Sequence, residues 1–246
     1  MAIEKIRLTD GTEINVEEWL HWPLFSTGLG QGNVASSGNG AGGDLRLFEY
    51  VVGDRIPVMG VLAPVTAGVS DTNQVVRGRI NHDEGFICFN LTYEPFALER
   101  DPSFGEPGST DITAVDPILT GTNLRRLQKD MLMELFVGAN ISKPMASAPL
   151  AYYGQGLGAV AFSSGDGLLV SIAQGGGPNI SNLALDYGTG GPVWPDNQRR
   201  WNLPIKIDAD RAAYVALKTP GGQITGLDQS WRLRVYMDGL KRRAVA

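Results

Sequence analysis

Near the end of the chain, residues 230–239 read S-W-R-L-R-V-Y-M-D-G, and no other stretch restricts the fold as strongly. Trp231, Leu233, Val235 and Met237 alternate with Arg232, Arg234, Tyr236 and Asp238, the period of two that belongs to a strand with one buried and one wetter face. The same alternation of types runs through residues 85–96, G-F-I-C-F-N-L-T-Y-E-P-F, and a shorter version through 212–218. A closing strand this regular needs partners, and the other candidate strands are spread from one end of the chain to the other. The expectation is an antiparallel sandwich that the C-terminal strand closes by returning to early strands.

The chain opens with two short strands, 5–8 and 13–16, around Asp10-Gly11, where glycine supplies the positive φ of a tight hairpin. Residues 17–25 follow, rich in aromatics (Trp19, Trp22, Phe25) and kept from becoming a long helix by Pro23. Residues 26–43, S-T-G-L-G-Q-G-N-V-A-S-S-G-N-G-A-G-G, have the composition of a flexible strap. This divides the chain into a hairpin and aromatic arm over 1–25, a strap over 26–43 and a body over 44–246. In the body, strands are expected at 45–52, 72–80, 85–96, 150–153, 159–162, 168–173, 203–207, 212–217 and 231–237. A surface excursion rich in proline and glycine fills 97–121, and no element is evident in 174–202, a length of loop that points to function or an interface. One helix is expected at about 122–137, capped by Thr122 or Asn123, with Leu124, Leu127, Met131, Leu132 and Leu135 as a core stripe and Gly138 as its C-terminal cap. About eight strong strands around one helix, with no alternation of strand and helix, make the expected fold all-β. It is an antiparallel jelly-roll sandwich, a single roll rather than a double one.

Composition narrows the function classes. A net charge of −5 argues against a chain that grips nucleic acid, although basic groups stand at Arg125-Arg126, Arg199-Arg200 and Lys241-Arg242-Arg243. The excess of 32 glycines and 14 prolines fits a β protein with many turns. No apolar run approaches the ~20 residues of a spanning helix, and residues 1–8 lack the apolar core of a secretory leader, so no export is expected. The one cysteine, Cys88, reads as a small core residue, and the sequons at Asn90, Asn140 and Asn179 read as chance.

A search for catalytic chemistry finds no assembled constellation. The two histidines, His21 and His82, with one cysteine do not complete a zinc site by spacing, and neither a G-x-S-x-G elbow nor closely spaced histidines of the cupin kind occur. Gly154 to Ala159 matches a relaxed dinucleotide fingerprint in the wrong context, since no helix start follows. Asp83, Glu84, Glu94 and Glu99 keep a sandwich glycosidase among the alternatives, with Asp83 and Glu84 read as turn residues and Glu94 and Glu99 as solvated. Tyr152, Tyr153, Trp194 and Trp201 keep open a platform for sugar rings. No catalytic residue, cofactor or metal is assigned.

The order of features resembles a known family. Residues 47–57 (L-F-E-Y-V-V-G-D-R-I-P), 70–73 (S-D-T-N), 83–89 (D-E-G-F-I-C-F) and the closing 231–245 (W-R-L-R-V-Y-M-D-G-L-K-R-R-A-V) are similar in pattern to the jelly-roll capsid proteins of icosahedral, especially bacterial, viruses. The likeness covers roughly 44–246. It implies a virion protein made in the host cytoplasm, a shell subunit associating with copies of itself and other virion proteins, without catalysis. The expected subunit contacts are Trp19, Trp22, Phe25, Trp194, Trp201, Arg242 and Arg243. The rival readings are a module that binds a glycan or host receptor on a tail or spike, and the glycosidase.

Overall fold

The computed structural model describes residues 5–7, 11, 13–15, 19–34, 37–79, 85–98, 119, 121–138, 143–153, 159–163, 185–189 and 204–242. In chain order the strands are β1 (Lys5–Arg7), β2 (Glu13–Asn15), β3 (Trp19–His21), β4 (Leu24–Gly30), β5 (Gly40–Ala41), β6 (Asp44–Leu47), β7 (Val58–Met59) and β8 (Phe86–Ala97). After the helix α1 (Gly121–Asp130) come β9 (Leu132–Val137), β10 (Ala146–Pro149), β11 (Ala159–Ser163), β12 (Leu185–Thr189), β13 (Ile205–Ile207), β14 (Ala213–Lys218), β15 (Gln223–Ile224) and β16 (Trp231–Arg242). Among the described residues the fold is all-β with a single α-helix, as expected.

Two sheets dominate. The larger runs β13-β8-β16-β4-β7, with β3 also on β16, and the smaller runs β10-β9-β14-β6. Every pairing in them is antiparallel except β4 with β7. β16 sits in the middle of the larger sheet, and its alternation does what the sequence demands. Trp231, Leu233, Val235 and Met237 are fully buried in one cluster with Leu45, Leu47, Met133, Leu135, Val215 and Leu217 of the smaller sheet and Leu127 of the helix. Both sheets therefore send side chains into one core. The C-terminal strand does return to early chain, pairing with β4 from Met237↔Leu24 to Trp231↔Gly30.

Four expectations give way to the structure. The aromatic arm is sheet: β3 and β4 hold the same register on β16, since Leu240 faces His21 and Met237 faces Leu24. Only Trp22-Pro23 interrupts this line, because proline has no N–H to give the ladder, and Trp22 still donates to the Gly239 carbonyl at 3.1 Å. The flexible strap is also corrected. Its first residues, 26–30, are the buried part of β4, and Gly40–Ala41 pairs with Gln223–Ile224. The glycines here make room for neighbours: a Cβ on Gly30 would lie inside the Trp231 indole, and one on Gly32 would strike the Gln229 backbone.

The helix stops at Asp130, where 122–137 was expected, and the rest of that range is β9, the neighbour of β14. Asn123 lies inside the helix, where its Nδ2 donates to Gln229 Oε1 at 2.7 Å, and Gly138, at φ +111°, follows a strand. The confusion has a physical source: positions 127, 131 and 135 are four apart, a step that both a 3.6-residue and a two-residue period accommodate. Finally, the stretch 174–202 is not free of elements, because β12 lies in it and pairs with β11. Smaller differences follow the same lines. The strand expected at 45–52 ends at Leu47, where Phe48 takes a φ of +67°, and residues 150–152 form a 3-10 turn. Thr72–Arg79 shows only isolated bridges, and 168–173 lies outside the described residues.

Candidate functional site

The face of the larger sheet that points away from the shared core carries a row of polar side chains. On β16 it presents Arg232, Arg234, Tyr236 and Asp238. Antiparallel register sets Phe96, Glu94, Thr92 and Asn90 of β8 opposite them on one side, and Leu29, Thr27 and Phe25 of β4 opposite the first three on the other. Asn90 shares this face with Thr92 and Glu94 by simple alternation, and a bulge on β8, between the pairs Asp238↔Asn90 and Gly239↔Cys88, turns Cys88 into the core. Cys88 is a buried free thiol, as the sequence predicts, and burial pushes its pKa well up.

Charges in the row are paired. Arg234 Nη1 donates to Glu94 Oε2 at 3.1 Å, and the Tyr236 hydroxyl donates to the same oxygen at 2.8 Å. The Arg234 guanidinium also lies 5.6 Å from the centroids of both Phe25 and Phe96. Arg232 pairs with Asp71, which reaches the row from the segment between β7 and β8. That segment is fastened beside β4: the Phe25 N–H donates to Asn73 Oδ1 at 2.8 Å, and the Asp71 carbonyl accepts from the hydroxyl of Tyr50, a residue between β6 and β7 that itself accepts the Thr27 N–H at 2.8 Å. Burial raises the Tyr236 pKa, reinforced by its bond to Glu94, so the phenol stays protonated. Burial opposes the Arg234 charge, but Tyr236, Glu94 and Asp71 outweigh it and hold the guanidinium above its usual value. Two guanidinium groups stand against Glu94 and Asp71, and the third carboxylate of the row, Asp238, is engaged by His21. The arrangement is one for holding hydrogen bonds in fixed directions.

At the far end of the same strand pairing sit most of the expected contact residues. Trp19 is half-buried on β3, opposite Arg242 at the exposed end of β16. Trp22 is 44% exposed, with Lys241 Nζ 5.5 Å above its ring. Phe25 tilts against Tyr236 at 5.9 Å. His21 Nε2 lies 2.7 Å from Asp238 Oδ1. The structure thus gathers Trp19, Trp22, Phe25 and Arg242 along one edge of the larger sheet, whereas Trp194, Trp201 and Arg243 lie outside the described residues, as do His82, Asp83, Glu84 and Glu99.

Glu94 is a correction. It is buried and bonded to Arg234 and Tyr236, where a solvated side chain was expected. Of the tyrosines considered as a platform, Tyr152 is exposed, while Tyr153 is buried and its hydroxyl donates to the Met133 carbonyl at 3.1 Å. The polar row itself was half visible in the sequence as the wetter face of residues 231–238. Its other half was present as Asn90, Thr92 and Glu94 at matching period in 85–96, and placing Glu94 opposite Arg234 required only the register of the pair.

A second, smaller array lies on the outer face of the other sheet. Phe136 and Tyr214 stack at 4.9 Å, with Arg46 over Tyr214 and Lys218 over Phe136. Lys218 Nζ also pairs with Glu134 Oε2 at 2.6 Å, and the Ser147 hydroxyl donates to Glu134 Oε1 at 2.9 Å. Among the described residues no helix is long and apolar enough to cross a membrane. No family model, curated protein or solved structure matches this chain.

Proposed function

We propose that the chain is a single eight-stranded jelly roll and that it serves as a structural subunit of a virion shell, made in the host cytoplasm and associating with its own copies and other virion proteins. The observation that carries this reading is strand order. Of the strands in the two main sheets, β3 continues the line of β4, and β7 is a short parallel addition. That leaves β4, β6, β8, β9, β10, β13, β14 and β16 as first to eighth. The larger sheet then runs sixth, third, eighth, first, and the smaller runs fifth, fourth, seventh, second. Consecutive strands lie in opposite sheets except for the fourth and fifth, and the first and last are neighbours. That order matches two interlocked Greek keys and supports the jelly-roll reading, an architecture that capsid subunits share with lectins and cupins.

Surface chemistry favours the shell among those uses. The segment between β6 and β8 exposes Val61 at 86%, Val69 at 80% and Val75 at 71%, apolar groups that subunit contact would remove from water. The test is mass in solution by light scattering over a concentration and salt series, with electron micrographs of the same samples. Trimers, pentamers or closed particles are the expected result. A strict monomer at every concentration sinks the shell reading.

A further inference from the structure

The segment between β6 and β8 is held to the molecule differently from the strands it joins. Its apolar contacts form a cluster of their own, Leu29, Tyr50, Ile56 and Ala67, with Val58, Leu62 and Leu98 packed against it. Only Phe48 and Met59 of this segment belong to the core that the two sheets share, and residues 61–77 add no side chain to it. Apart from the small cluster, those residues are fastened to the larger sheet by polar groups. Asn73 Oδ1 accepts the Phe25 N–H at 2.8 Å, Asn73 Nδ2 donates to the Pro23 carbonyl at 2.8 Å, and Asp71 pairs with Arg232. Backbone bonds to the preceding turn complete the attachment: the Ile56 N–H donates to the Val65 carbonyl at 2.9 Å, and the Ala67 N–H donates to the Asp54 carbonyl at 2.8 Å. Where the segment meets the sheet, Thr27 Oγ1, Arg232 Nε and Arg234 Nε are buried without a hydrogen-bond partner. Thr27 follows Ser26, which bridges Thr72, and the Asp71 charge acts on both arginines. The closed position is therefore disfavoured at three atoms that lifting the segment would return to water.

We infer that residues 61–77 are a hinged cover on the larger sheet, which lifts and closes as a unit while both sheets stay folded. Both of its ends are anchored. On one side the Gln31 N–H donates to the Met59 carbonyl at 2.9 Å; on the other the Gly78 N–H donates to the Phe48 carbonyl at 3.0 Å, and the Gly78 carbonyl accepts the Ala213 N–H at 3.1 Å. Beside each anchor stands a glycine at positive φ, Gly60 at +96° and Gly78 at +66°, where the backbone changes direction without a side chain in the way. Weak apolar attachment, polar ties and buried unpaired groups are the properties of a unit at the low end of local stability. The hinge is independent of the shell reading: a monomer whose cover opens keeps the hinge and loses the shell.

The experiment is amide hydrogen exchange of the full chain, read residue by residue over urea concentrations below the unfolding midpoint. The amides of Phe25, Ile56 and Ala67 are each bonded across the boundary of the cover. They are expected to exchange through one shared opening, at least about tenfold faster than the amides of β8, β14 and β16 and with a weaker dependence on urea, because a partial opening exposes less surface. Val215→Ala, in the core between the sheets, is expected to speed exchange in those strands by about tenfold and to leave the three reporters unchanged, since their opening keeps that core intact. Asp71→Asn weakens a tie that is lost in either kind of opening, so it is expected to speed both groups by about fivefold or more. Reporters that follow the sheet amides at every urea concentration, that quicken with Val215→Ala, or that ignore Asp71→Asn would each overturn the hinge. Three unrelated rates would do the same, as separate fraying instead of one unit. Should Val215→Ala fail to fold, the urea series on the unaltered chain decides alone.

Discussion

A tryptophan lies where a glycine leaves it room. The indole of Trp231, the largest fully buried side chain among the described residues, occupies the space that any side chain on Gly30 would take. Gly30→Ala is therefore expected to destabilise the fold by about 3 kcal/mol, the upper range for overpacking a core, read as a lowered midpoint in urea with an unchanged slope. An unaltered midpoint would mean that the indole has somewhere else to go. Acid sensitivity is also set at single residues. Burial pushes the Glu134 carboxyl up, but hydrogen bonds from Lys218 and Ser147, with the Lys218 charge, outweigh it and hold the group below its usual value. The unfolded carboxyl titrates near about 4.3, so the folded state binds fewer protons. The stabilisation is complete above that value and is lost as pH falls through the lower, folded one. Glu134→Gln is accordingly expected to melt below the wild type at neutral pH, with the gap closing in acid. Calorimetry from about pH 7 to pH 3 checks this, and a gap independent of pH would count against it.

At the scale of elements, the N-terminal boundary matters most. Removing residues 1–18 takes away a hairpin that pairs with neither main sheet, so the melting temperature is expected to hold. Removing residues 1–30 also takes β3 and β4, leaves one side of β16 open and uncovers Trp231, and no cooperative transition is expected. Circular dichroism melts of the two truncations separate these outcomes. Of the elements that the sequence announced plainly, β16 and most of β14 have one face in the core and one wetter face, where burial itself writes the period of two, while β8 shows the same alternation of residue type although both its faces are buried. Those it concealed obey other constraints. β4 hid in a glycine-rich run because its inward residues must be small to admit Trp231 and Leu45, and composition does not distinguish glycine that bends from glycine that packs. β9 hid behind a spacing shared by both periods, and Leu132 to Val137 took their identity from β14, a strand far away in the chain. The polar row shows the same division: each strand displayed its polar side, while the Glu94 to Arg234 pairing depended on a register that no local pattern carries.

For the whole molecule, the exposed valines give the next test. Val61→Asp with Val69→Asp places charge on apolar surface far from the core, so stability is expected to change by no more than about 0.5 kcal/mol while assembly is lost. Assembly that survives this double change would move the contact elsewhere on the subunit. The position of β16 has a further consequence in the cell. It is made after every other described strand and sits in the middle of its sheet, so β4 and β8 each wait for it with an open row of N–H and C=O groups. At about 5 to 20 residues per second, the ribosome needs about 7 to 30 s to pass from the end of β8 to the end of β16. Throughout that interval the nascent chain carries two unpaired strand edges of the kind that recruit neighbouring chains. A nascent chain that stops before Trp231 keeps both edges unpaired, because it lacks the strand that joins β4 to β8.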